Sequence, residues 1–182
     1  MVTDYNIERL NFLVVDDNKH MTMLVKTILH ALGARNCEEA FDGADAFKVL
    51  RHFPADIIIC DWVMQPLDGI EFVKLVRTGR DSPNQYVPII MLTGHTEVAR
   101  VMEARDAGVT EFLAKPVSAK KLYSRIKAII ETPRSFLKAG SFFGPDRRRR
   151  QLPSYKGGER RKASSAVLET TAKAPVQSVS AA

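Results

Sequence analysis

The sequence predicts an α/β fold, a doubly wound parallel sheet of five strands with helices on both faces, followed by a basic tail. Three observations predict it. Short β-branched apolar runs alternate with longer segments whose apolar residues recur every three or four positions. The central run, Asp56-Ile57-Ile58-Ile59-Cys60-Asp61, is apolar at consecutive positions, as a strand covered on both faces must be. Finally, several runs end in a carboxylate, hydroxyl or lysine, and open α/β sheets place their sites at the carboxyl ends of the strands.

Phe12-Leu13-Val14-Val15 reads as the first buried strand and ends on Asp16-Asp17. Met21, Leu24, Val25, Ile28, Leu29 and Leu32 then recur at helical spacing, and Gly33 stops that helix. Asn36–Phe41 reads as a weaker edge strand before the turn Asp42-Gly43, and Ala46, Phe47 and Leu50 mark a helix ending before Pro54. After the central strand, Asp68 caps a helix with Ile70, Val73 and Val76 inward, and Gly79 ends it. Residues 80–87 form a polar loop, and Val87–Leu92 is a strand closing on Thr93-Gly94. Val98, Val101 and Met102 lie on a fourth helix that stops at Gly108. Glu111–Ala114 is the last strand, leading to Lys115-Pro116, and Ser118 caps a final helix that buries Leu122, Ile126, Ile129 and Ile130. Strands alternating with helices at this spacing imply right-handed βαβ crossovers. Regular periodicity stops at Thr132-Pro133. The expected units are therefore residues 1–133, a folded domain; 134–162, an arginine-rich ligand-binding tail, mostly disordered when nothing is bound; and 163–182, a disordered C-terminus with no chemistry of its own.

The chain has 182 residues and a net charge of +6, but the charge is divided unevenly. Residues 134–182 hold 11 of the 27 Lys and Arg and 3 of the 21 Asp and Glu, a net of +8, which leaves −2 for residues 1–133. An acidic domain carrying a basic tail points to an anionic partner for the tail. No signal peptide and no bilayer-crossing run is legible, so a cytoplasmic location without membrane insertion is expected. Cys37 and Cys60 both fall in expected strands and read as buried, reduced thiols.

In a parallel sheet the strand ends carrying Asp16, Asp17, Asp61, Thr93 and Lys115 point the same way, so these side chains converge. Clustered carboxylates repel one another, and a hard divalent cation such as Mg²⁺ would relieve that repulsion. A carboxylate nucleophile, a cation, a lysine and a hydroxyl are the groups phosphoryl transfer needs. Asp16-Asp17 alone could merely cap the following helix; five such residues at one sheet edge argue for a site.

Residues about 10–132 resemble the receiver domain of bacterial response regulators, closest to the stand-alone chemotaxis type, a flavodoxin-like fold. The matching pieces are Phe12-Leu13-Val14-Val15-Asp16-Asp17, Asp61-Trp62, Asp68-Gly69, Thr93 and Lys115-Pro116. The resemblance implies strand order 2-1-3-4-5 and Asp61 as phospho-acceptor, with a histidine kinase as a possible phosphoryl source. It implies Mg²⁺ held by Asp17, Asp61 and the Val63 carbonyl, and by Asp16 through water. It also implies Thr93 and Phe112 as a switch pair, and a cis Lys115-Pro116 peptide. Two positions depart from the pattern. Gln65, followed by Pro66, stands where the family has a proline, and Phe112 lacks the hydroxyl of the tyrosine often found there.

Past the domain, Gly144-Pro145-Asp146-Arg147-Arg148 and Gly157-Gly158-Glu159-Arg160-Arg161 share the order glycine, acid, two arginines, offset by 13 residues. Arg149, Arg150 and Tyr155 lie between them, and Phe142-Phe143 precede. An acid inside an arginine cluster weakens plain phosphate binding, which argues against a nucleic-acid tail. Guanine accounts for it: N1–H and the N2 amino group donate to a carboxylate, while O6 and N7 accept a bidentate arginine. Aromatic and guanidinium planes can stack on the base. Two such grips suit a two-fold ligand with two guanines and two phosphates, and cyclic di-GMP fits. The segment resembles the arginine-rich tails of CheY-like cyclic di-GMP effectors. That resemblance implies a receiver that docks on flagellar motor switch proteins, with Asp146, Arg147, Arg148, Arg149, Arg150, Tyr155, Glu159, Arg160 and Arg161 as ligand-binding residues.

The leading reading is thus a second-messenger effector on a receiver scaffold. The alternatives are a phosphorylation-driven chemotaxis regulator whose tail binds no nucleotide, and a nucleic-acid-binding tail. No enzyme is expected beyond self-phosphorylation and self-dephosphorylation at Asp61.

Overall fold

The computed structural model describes residues 5–94, 98–140 and 142–146. Five strands, β1 (Asn11–Val15), β2 (Asn36–Ala40), β3 (Ile57–Asp61), β4 (Ile89–Thr93) and β5 (Glu111–Ala114), form one parallel sheet in the order β2-β1-β3-β4-β5. The intervening helices are α1 (Lys19–Ala31), α2 (Gly43–Val49), α3 (Gly69–Thr78), α4 (Val98–Ala107) and α5 (Ala119–Glu131). Both the fold class and the strand order that the resemblance implied are therefore observed.

Alternation along each strand divides the interior into two cores. Leu13, Val15, Ile58, Cys60, Ile89 and Met91 face α2, α3 and α4, meeting Phe47, Phe72, Val73 and Ala104. Phe12, Val14, Ile57, Ile59, Ile90 and Leu92 face α1 and α5, meeting Val25, Leu29, Leu122 and Ile126. This two-sided burial is why β3 and β4 are apolar at consecutive positions. β2 is one of the two edge strands, and only its last residue, Ala40, is buried.

Helices α1, α2, α3 and α5 begin where a side chain satisfies their first amides. Asn18 accepts from the amides of His20 and Met21, Asp42 from Asp45, and Ser118 from Lys121. Asp68 and Glu71 form a reciprocal capping box on α3. Two side-chain expectations change. Leu24 lies on the solvent side of α1, and Thr22 takes an inward place, its hydroxyl donating to the Lys19 carbonyl at 2.9 Å. Cys37 is only half-buried on the edge strand, whereas Cys60 is fully buried and burial pushes its thiol pKa well up.

The expectation that regular structure ends at Thr132-Pro133 is corrected. Strands β6 (Phe136–Ala139) and β7 (Phe142–Pro145) pair as an antiparallel hairpin, with β7 packed on α3 and α4. The Asp146 amide donates to the Ser135 carbonyl at 2.7 Å and closes its base. The signal existed: two residues, Gly140-Ser141, separate two short runs containing phenylalanine, a spacing that favours a hairpin. Gly140 takes φ +60°, which the turn requires. Among the described residues, no helix is long and apolar enough to cross a membrane.

Candidate functional site

The carboxyl ends of β1, β3, β4 and β5 bring Asp16, Asp17, Asp61, Thr93 and Lys115 to one edge of the sheet. One carboxylate oxygen from each of Asp16, Asp17 and Asp61 lies within 4.8 Å of the others, close enough for all three to share a divalent cation. Asp16 and Asp61 are buried and Asp17 is exposed, so the cluster opens to solvent on one side.

Fixed donors hold the two buried carboxylates. The Trp62 amide donates to Asp61 Oδ1 at 2.8 Å, and the Lys115 ammonium reaches the same oxygen at 2.9 Å. Lys115 also lies 3.5 Å from Asp16 Oδ2, while Asp16 Oδ1 accepts the Asn18 amide at 2.9 Å. Burial raises the Asp16 pKa above the ordinary 3.8; the Asn18 amide opposes this, and the Asp61 charge adds to it. For Lys115, burial pulls the pKa down but the bonds and charges of Asp61 and Asp16 outweigh it, leaving the ammonium above its ordinary 10.5.

The loop geometry explains the position of Asp61. Its strand runs directly into Trp62, whose amide also bonds the Leu92 carbonyl, and the Gly69 amide donates to the Trp62 carbonyl at 2.9 Å. Between them, the Gln65-Pro66 peptide is cis, at the place where the sequence departs from the receiver pattern. The Lys115-Pro116 peptide is cis as well, and the Lys115 amide donates to the Thr93 carbonyl at 2.8 Å. Thr93 is buried at the end of β4. Phe112 is half-buried on β5, in register with Met91. Val63, two residues past Asp61, is exposed.

Of the tail residues, Asp146 lies at the foot of the hairpin. Arg147, Arg148, Arg149, Arg150, Tyr155, Glu159, Arg160 and Arg161 lie outside the described residues. The foot is anchored at the opposite end of the strands from the carboxylates: Arg134 pairs at 2.8 Å with the buried Glu111 that opens β5.

Sequence reasoning missed a second cluster at this end. Arg77, on the last turn of α3, is 1% exposed. Its Nε donates to the Gly108 carbonyl at 3.0 Å and its Nη1 to the Gln85 carbonyl at 2.8 Å. The guanidinium lies 5.2 Å from the Phe136 ring centre, and Nη2 has no hydrogen-bond partner among the described residues. Burial lowers its pKa to about 9, so it remains charged at neutral pH. Tyr86 meets Phe136 and Phe143 edge-on, at 5.1 and 5.3 Å between ring centres. No motif marks these residues, because the hairpin that encloses them comes from 59 residues further along the chain in the case of Arg77 and Phe136.

Residues 12–127 match the family described as the response regulator receiver domain. Chemotaxis protein CheY-3 of Vibrio cholerae is 32% identical over 124 residues, covering 68% of this chain and 94% of that protein. Chemotaxis protein CheY of Pseudomonas aeruginosa is 33% identical over 122 residues, covering 67% and 97%. Among solved structures, the chemotaxis protein CheY4 of Vibrio cholerae superposes with a TM-score of 0.61 at 31% identity, covering 66% of this chain and 98% of that one. With the acidic cluster, its lysine and the sheet order in place, the match over residues 12–127 shows that this chain belongs to the response regulator receiver family.

Proposed function

We propose that the protein is a cytoplasmic, CheY-like signalling receiver of the chemotaxis class, with Asp61 as its phospho-acceptor. The Lys115–Asp61 contact beside a three-carboxylate cluster is the observation that carries this reading. In the reaction, an Asp61 carboxylate oxygen forms a bond to phosphorus while the bond from phosphorus to its donor breaks, and the donor leaves with that electron pair. Lys115 then transfers its ammonium contact from Asp61 to the new phosphoryl oxygens, and Thr93 supplies a hydroxyl to them. Mg²⁺ bound by Asp16, Asp17, Asp61 and the Val63 carbonyl would neutralise charge on the transferring group. Thr93 and Phe112 form the proposed switch pair, and a histidine kinase is the proposed donor. Phosphorylation and its reversal at Asp61 are the only chemistry in this reading. Incubation with acetyl phosphate and Mg²⁺ should add one phosphoryl group by mass, and Asp61→Asn should abolish it. Trp62, the sole tryptophan, adjoins the acceptor and should report metal and phosphoryl binding by fluorescence. Unchanged labelling of Asp61→Asn would refute the assignment.

A second reading rests on the repeated acid-arginine-arginine unit. In it, residues 134–162 bind cyclic di-GMP through Asp146, Arg147–Arg150, Tyr155, Glu159, Arg160 and Arg161, and the bound form docks on a partner such as the flagellar motor switch. By calorimetry, Asp146→Ala should weaken binding at least tenfold and Asp61→Asn should leave it intact. Equal binding of cyclic di-AMP or of random RNA would instead identify a general basic tail.

A further inference from the structure

The β6–β7 hairpin has a built seat at the amino ends of the strands. Gly108 follows α4 at φ +105°, and a Cβ on Gly144 would lie 2.9 Å from the Gly108 Cα, so the two backbones touch where neither residue has a side chain. A Cβ on Gly108 would likewise meet the Phe143 carbonyl at 3.2 Å. Phe136 covers the Arg77 guanidinium, and Tyr86 clasps both Phe136 and Phe143. The seat is specific, yet its hold is limited. A two-stranded hairpin is marginal alone, and covering Arg77 leaves its Nη2 without a partner among the described residues, at a desolvation cost. The segment also lies beyond residues 12–127, which carry the family match, so the receiver fold does not require it.

We propose that this hairpin is a reversible strap. It closes on Arg77 and Gly108, holds the C-terminal turn of α4 against α3, and opens together with that turn while the sheet stays folded. α4 begins five residues after Thr93 and ends at the seat, so it spans the distance between the carboxylate edge and the strap. Occupation of the pocket therefore changes how readily the strap opens, and strap opening changes the pocket in return, because coupling is reciprocal. This last step rests on the phospho-acceptor role of Asp61; the strap itself does not.

Native-state hydrogen exchange on the full chain tests it. In the unmodified protein the amides of β6, β7 and residues 105–109 should open as one unit, at least 100-fold more readily than those of β3 and β4. Phe136→Ala should speed exchange in that unit at least tenfold and leave β1 and β3 unchanged; Gly144→Val provides an independent release from the Gly108 side. Exchange of the hairpin only with global unfolding would overturn the proposal. So would release of the hairpin in either variant with residues 105–109 unaffected. A third arm adds beryllium fluoride, a phosphoryl mimic, with Mg²⁺, its binding followed by Trp62 fluorescence. A shift of threefold or more in strap opening supports the coupling, and none despite binding refutes it. Absence of binding removes the Asp61 assignment, while the variant arms still decide whether the strap exists.

Discussion

Gly69→Ala should cost about 3–5 kcal/mol, a large fraction of the roughly 5–15 kcal/mol that holds an ordinary domain folded. Gly69 is the first residue of α3, and its amide already donates to the Trp62 carbonyl. A Cβ there would stand 2.2 Å from the Asp61 carbonyl oxygen and 3.1 Å from the Trp62 Cα. Both obstacles are main chain, so no rotamer change can relieve the overlap. The helix would have to retreat from the end of β3, carrying the Asp68 cap with it and opening a core in which Phe72, Val73 and Val76 are fully buried. The contrast with Gly94 supplies the control. There a Cβ would meet nothing within 4 Å. Chemical denaturation should therefore find Gly94→Ala much milder than Gly69→Ala. Equal losses at the two sites would show that close approach of α3 to β3 is not what requires glycine.

That requirement also shows where the sequence can be read and where it cannot. Ile57, Ile58 and Ile59 announce a central strand because both faces of it are covered, and the same burial fixes Asp61 at its end. The caps are legible for a similar reason: Asp68 and Ser118 act on amides two or three residues away. Leu24 misleads because a periodic stripe is wider than the contact the sheet makes with α1. Asn18 is invisible as part of the pocket, since it acts on Asp16 through its main-chain amide, which every residue type except proline possesses. Arg77 is the furthest from legibility. On sequence it is one charged residue near a helix end, a place where cations are normally solvated; a distant aromatic and two loop carbonyls make burial tolerable. The hairpin hid behind composition, because a glycine-rich, basic stretch resembles a tail even where β6 and β7 pair.

Lys115→Met should reveal how much the carboxylate edge depends on the Lys115 ammonium. Methionine keeps most of the apolar stem and removes the charge that lies 2.9 Å from Asp61 and 3.5 Å from Asp16. Two buried carboxylates are then left facing each other, and without metal the variant should lose about 1–3 kcal/mol near neutral pH; the partial exposure of Lys115 keeps this below the cost of breaking a fully buried pair. The pH dependence identifies the cause. Asp16 already titrates above its ordinary 3.8 in the folded protein, so the native state holds more protons than the unfolded one, and stability falls as pH rises through that range. Loss of Lys115 raises Asp16 further and steepens the fall, so the gap between the two proteins should be small near pH 4 and large near pH 7. At the alkaline end the gap narrows again. The folded Lys115 pKa lies above its ordinary 10.5, so its contribution is complete below that value and disappears as pH climbs through the folded pKa, closing the gap from the other side. Excess Mg²⁺ should restore most of the loss at pH 7, since a cation that binds only the folded state at 100 times its Kd contributes about 2.7 kcal/mol. Urea titrations at several pH values, with Mg²⁺ and with chelator, measure all of this; a gap that is flat with pH and indifferent to the metal would mean that Lys115 contributes packing rather than charge.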